Sequence, residues 1–126
     1  MLHLSSCLFS TVVLHAYYLR CQDYHHLFLG LTVTSLLFHT IGGERIRIAD
    51  KALAHLCFVR NLFDMRTAIM ARGRHGWLLL FPIGVASLWF GQGLFSPQSE
   101  TRNRMHLALH ILSVVGLHVH LHTLYA

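Results

Sequence analysis

Met105–Ala126, MHLALHILSVVGLHVHLHTLYA, is a continuous apolar run about twenty residues long, the length that crosses a bilayer as a helix, and it carries five histidines. With 100° between successive residues, His110 lies one turn beyond His106 on the same helix face, and His120 returns to within about 40° of His106. Ser113 falls on that stripe, whereas His118 and His122 point elsewhere. His120 stands about 21 Å along the axis from His106, so these two mark opposite ends of the helix. The His106, His110 pair is the sharper signal. Two imidazoles at i and i+4 bind one metal ion without bending the helix, but a catalytic zinc takes a third protein ligand and keeps an open position. The rest of the chain must supply that ligand.

The composition sets the setting. The 126 residues are 54% hydrophobic and 12% charged, with a mean hydropathy of +0.50, which is too apolar for an ordinary soluble domain and too short for two. The expectation is one integral membrane domain over residues 1–126, an all-α bundle of about five spans. A net charge of +5 rests on nine arginines and one lysine scattered between the apolar runs. That pattern suits lipid headgroups better than nucleic acid, so no nucleic-acid partner is expected. Cys7, Cys21 and Cys57 have no CxxC spacing and leave an odd number, so neither a disulfide framework nor a thiolate zinc site is indicated.

Taken in order, Met1 to Leu19 is apolar without a basic leader, a poor match to a cleavable signal and a better one to a retained helix. Arg20 to Tyr24 is a polar turn. His25 to Ile41 is apolar again and stops at Gly42 and Gly43. His25, Thr32, Ser35 and His39 recur on one face of this second helix; Thr32 is read as a packing residue. The third segment, Arg45 to Arg66, has no uncharged run longer than Ala52 to Val59, so it either lies at the interface or is buried with a polar face inward. Asp50, Ala54, Cys57, Asn61 and Asp64 define that face. Arg72 to Gly76 is a loop, Trp77 to Phe95 a clear span with Pro82 in its first turns, and Ser96 to Arg104 a polar connection. Five spans divide the basic residues five against five, whereas four spans gather seven of the ten on one side, so charge leaves the topology open.

With five spans the second helix ends, and the third and fifth begin, on the same side of the membrane. His39, Asp50, His106 and His110 then share one depth. Three neutral imidazoles, His39, His106 and His110, make a zinc site with one position left for water; Asp50 orients that water or takes its proton, and Ser35 hydrogen-bonds a ligand or a developing oxyanion.

At these residues the chain resembles the membrane hydrolase superfamily that includes alkaline ceramidases, progestin and adiponectin receptors and hemolysin III proteins. Its marks are Ser-x-x-aromatic-His ending the second helix, an Asp on the third, and His-x-x-x-His opening the last. Here they read Ser35-Leu36-Leu37-Phe38-His39, then Asp50, then His106-Leu107-Ala108-Leu109-His110, and His120, fourteen after His106, also looks like the family's last helix. The resemblance implies a zinc held by His39, His106 and His110, with Asp50 and Ser35 around the bound water, acting on lipid amides such as ceramide. That family has seven spans, and this chain has room for about five.

Two other readings use the same residues. His25 and His39 are fourteen apart on the second helix and His106 and His120 fourteen apart on the fifth, the pattern of two b-type haems stacked across a bilayer. Only Gly30 and Gly116 offer the small surfaces a haem needs. Alternatively, the chain is a small accessory subunit of a larger membrane complex, for example a respiratory one, with histidines bonded between helices. The endoplasmic reticulum and the mitochondrial inner membrane both fit, with membrane lipids and other membrane subunits as partners.

Overall fold

The computed structural model describes residues 2–126, and every regular element among them is helical. The first apolar run is not one helix. It divides into α1, Leu2–Cys7, and α2, Phe9–Tyr18, because short-range bonds displace the regular ladder around Leu8. Leu8 N–H donates to Ser5 O and Thr11 N–H to Leu8 O, while the Ser10 and Thr11 hydroxyls donate to Cys7 O and Leu8 O at 2.6 Å. The predicted Arg20 to Tyr24 turn is also shorter than expected. Arg20 takes a left-handed φ of 60° and Cys21 N–H reaches back to Ala16 O, a Schellman closure that lets α3 begin at once. Tyr24 is therefore a helical residue, and a buried one.

Helix α3, Gln22–Thr40, ends as its glycine pair predicts: Gly42 and Gly43 have φ of 78° and 109°, and Gly42 N–H bonds Leu37 O. The third segment is a single long helix. α4 runs Glu44–Arg72, 29 residues or about 43 Å, and closes on Gly73 in the left-handed region. The polar stripe turns inward, with Cys57 and Asn61 buried and Asp50, Ala54 and Asp64 half-buried, while Arg45, Lys51, Arg66 and Arg72 stay exposed. The outward face mixes these charges with large apolar residues, Ile48, Val59 and Phe63 each being about three-fifths exposed (58%, 61% and 61%).

The Trp77 to Phe95 stretch starts with a 3-10 turn, Gly76–Leu79, continues as α5, Leu80–Gln92, and leaves Gly93 to Phe95 in turns. Pro82 sits in the first turn of α5, where its missing N–H costs no helical bond. The last helix, α6, spans Glu100–Tyr125, about 39 Å.

Packing is antiparallel and sequential for most of the chain. α3 lies against α1, α2 and α4, and α6 lies against α5, α1 and α2. α5 and α6 approach closely over glycines: a Cβ on Gly84 would stand 2.8 Å from Leu112 Cδ2, and one on Gly91 2.8 Å from Met105 Cε. The core joins Phe9, Val12 and Ala16 of α2, Tyr24 and Phe28 of α3, Cys57 of α4, and Val114, Leu117 and Leu121 of α6. Between α4 and the α5, α6 pair a cavity of about 210 Å³ remains. Among the described residues one helix, α6, is long and apolar enough to cross a membrane; the apolar helical stretches Leu4–Tyr18, across α1 and α2, and Gly76–Gln92, across the 3-10 turn and α5, are shorter.

Candidate metal centre

The ends of α3 and α5 and the starts of α1, α4 and α6 meet at one end of the bundle, which is the geometry that five alternating helices require. His39, from the last turn of α3, faces the His106, His110 pair in the first turns of α6. Ring centroids are 5.3 Å apart for His39 and His106, 5.3 Å for His39 and His110, and 4.7 Å for His106 and His110. One nitrogen from each ring falls within 4.8 Å of the other two, so the three could hold a metal ion. Zinc bound to imidazole at 2.0–2.1 Å sets ligand nitrogens about 3.3 Å apart in a tetrahedron, so small ring rotations close the set.

The hydrogen bonds behind the rings support that fit. His106 Nδ1 lies 2.8 Å from Gln92 Oε1, so Nδ1–H donates to the amide oxygen and Nε2 keeps its lone pair. Nε2 is buried and has no hydrogen-bond partner among the described residues. A bare imidazole lone pair, buried and beside two other imidazoles, could ligate a metal ion. His110 is braced likewise: Nδ1 lies 2.7 Å from Ser5 Oγ, and Phe9 packs its edge on the ring at 5.5 Å. Such outer partners fix tautomer and ring orientation in metal sites. The sequence reading had missed them. Gln92 could have been found, since it is the sole carboxamide in the apolar run from Trp77 to Phe95.

Ser35 and Asp50 line the same cavity as His106 and His110. Ser35 is buried with its Oγ 2.9 Å from Ser6 Oγ, a partner that lies outside the expected set. Asp50 is not in the imidazole cluster; it stands on the α4 wall of the cavity. Thr34 Oγ1 lies 3.2 Å from Asp50 Oδ1, 3.0 Å from Gly30 O and 3.2 Å from Leu31 O, so one hydroxyl hydrogen is shared among three acceptors and the carboxylate is lightly held. Thr32 donates to Phe28 O within its own helix.

At the far end of the bundle a second polar group forms around Asp64. Tyr24 Oη and Tyr125 Oη both donate to Asp64 Oδ2, the latter at 2.6 Å, while Arg60 Nε lies 3.5 Å from Oδ1. His120 packs against Tyr24 at 5.7 Å and Tyr125 at 6.2 Å. His25 instead sets Nδ1 3.3 Å from Val13 O and its ring 5.4 Å from Tyr17. His25 and His120 thus turn to different partners, and His39 meets His106 with His110 alongside. The two glycines available to a haem are covered, Gly30 by Leu53 at 3.4 Å and Gly116 by Phe81 at 3.0 Å from where a Cβ would sit. This arrangement favours a metal ion over paired haems.

Comparison of the chain with family models, with curated proteins and with solved structures returns no match.

Proposed function

We propose that the chain is an integral membrane protein of about five spans that holds zinc at His39, His106 and His110 and hydrolyses amide bonds of lipids such as ceramide. The observation that carries the reading is the convergence of three imidazole nitrogens within 4.8 Å, two of whose rings, His106 and His110, line a cavity together with Ser35 and Asp50. An all-imidazole donor set suits zinc among the common divalent ions, with one position left for chemistry. When bound, zinc supplies Lewis acidity and a water acidic enough to attack at neutral pH.

The chain's own groups divide the remaining work. Asp50 takes the proton of the attacking water at Oδ2, since Oδ1 faces the Thr34 hydroxyl, and returns it to the departing amine nitrogen as the C–N bond breaks. Ser35, whose oxygen can accept from Ser6 2.9 Å away, then directs its own hydrogen to the carbonyl oxygen as negative charge develops there. Gln92 and Ser5 hold the two α6 imidazoles in register.

The membrane part of the reading rests on where polarity lies. Asn61, Gln92, His110 and His120 are buried, while Leu14, Val59, Phe63, Leu80 and Phe90 face outward. Polar groups inside and large apolar groups outside is the arrangement a lipid solvent favours. Tags at the two ends of this chain are expected on opposite sides of the membrane. Protease or maleimide access to both tags from one side would remove the five-span reading.

Metal content and spectrum test the site itself. Purified protein is expected to carry about one zinc per chain and to show no Soret band, and His25→Ala should leave the zinc in place because His25 lies outside the triad. A Soret band lost on His25→Ala would decide for haem instead.

A further inference from the structure

The cavity that begins at the triad ends at two buried acceptors that the proposed chemistry does not use. Asn61 and His120 line its far part and are 8% and 0% exposed. Asn61 Oδ1 and His120 Nδ1 have no hydrogen-bond partner among the described residues. The neighbouring network explains the state of His120. Tyr24 gives its hydroxyl hydrogen to Asp64, so its oxygen can only accept from His120 Nε2, 3.3 Å away. A neutral imidazole has one N–H, and with that proton on Nε2 the Nδ1 atom is left as a bare acceptor. Asn61 precedes Asp64 by one turn of α4, and Asp64 Oδ2 lies 3.9 Å from His120 Nε2, so the two acceptors share one level of the bundle. Buried polar atoms are normally satisfied, and two that line one cavity from α4 and α6 point to a guest that engages both.

We propose that the cavity binds an elongated amphiphile with a second polar group, a hydroxyl, seated at Asn61 and His120 while its amide lies at the triad; this rests on the lipid-amide reading above. From His110 to His120 is about 15 Å along α6. The walls between them, Leu112, Gly116 and Leu117 on α6 and Cys57 and Phe81 opposite, are apolar, so the linking part of the guest is hydrocarbon. A hydroxyl fits the far end because it both donates and accepts: its hydrogen goes to His120 Nδ1, and its oxygen accepts from the Asn61 amide turned nitrogen-inward. A carboxylate, an acceptor only, could take the Asn61 hydrogen but would set its other lone pairs against His120 Nδ1, itself an acceptor. A methyl end leaves both protein groups unsatisfied. The substrate class is therefore an amide of an ω-hydroxylated long-chain acid.

Binding, read from the fluorescence of Trp89 on the cavity wall, tests this without metal or turnover. The probes are the ethanolamides of dodecanoic acid, ω-hydroxydodecanoic acid and a mid-chain hydroxydodecanoic acid, titrated into the micellar protein. The ω-hydroxyl should tighten binding about tenfold over the plain chain, the worth of one hydrogen bond in a buried site. The mid-chain hydroxyl, set against the apolar wall, should bring no gain. Asn61→Leu should erase the ω-hydroxyl preference while the plain amide binds at least as well; comparing ratios between wild type and variant cancels partition into micelles. Equal affinity of the wild type for the ω-hydroxylated and plain probes, or an equal gain from the mid-chain hydroxyl, overturns the proposal even if Asn61→Leu does not fold. A preference that survives Asn61→Leu overturns it as well. The ω-hydroxyl preference in a protein that holds no zinc and cleaves no amide would sink the hydrolase reading and leave this subsite standing.

Discussion

His110→Ala is expected to empty the metal centre. The substitution removes one of three ligands and leaves His39 and His106 to hold an ion against water and cellular competitors, which two imidazoles do poorly. Loss of an outer partner typically costs 10–100-fold in metal affinity, so loss of a ligand should exceed about 100-fold. Gln92→Leu gives the graded comparison, because it keeps all three imidazoles and removes only the acceptor that holds His106 Nδ1. Its expected cost lies in that outer-partner range of about 10–100-fold. Zinc retained by His110→Ala at the wild-type stoichiometry, in protein of unchanged helicity, would mean the triad is not the site.

Asp50→Asn should separate chemistry from binding. The amide keeps the size of the side chain and an oxygen that can face Thr34, but it cannot take a proton. Metal content should therefore be unchanged while amidase activity falls by roughly 10²- to 10⁴-fold, the usual contribution of a positioned base. Equal activity of the two proteins on a ceramide substrate, at equal zinc, would remove Asp50 from the mechanism.

The part of this site visible in the sequence is the part that helical spacing controls. His106 and His110 must share a face, and alternation of five helices brings His39 to their level, because both facts depend only on period and parity. The inward stripe of α4 was legible for the same reason. What spacing cannot reveal is which rotamer and which neighbour a residue meets. Gln92 reaches His106 only because Gly84 and Gly91 let α5 lie close on α6, and Ser5 and Ser6 reach His110 and Ser35 through the break at Leu8. Tyr24 was assigned to a turn because Arg20 is an unusual residue for a left-handed helix closure; once inside α3, it joins Asp64 and Tyr125 from two other helices. Asp50 was expected beside the histidines by depth alone, and the structure sets it across the cavity with Thr34, a position fixed by the rotation of α4.

The gap between α4 and α5 bears on how rates must be measured. Its rim includes Phe90 of α5 and His55 of α4, both exposed, so the cavity reaches the side of the bundle as well as its interior. In a bilayer a guest entering there arrives from the acyl-chain phase. The concentration that governs saturation is then its mole fraction among the lipids, not its amount per litre of buffer. Diluting a fixed quantity of substrate with inert phospholipid should slow turnover, whereas adding more vesicles of the same composition per unit volume should leave the half-saturating mole fraction unchanged.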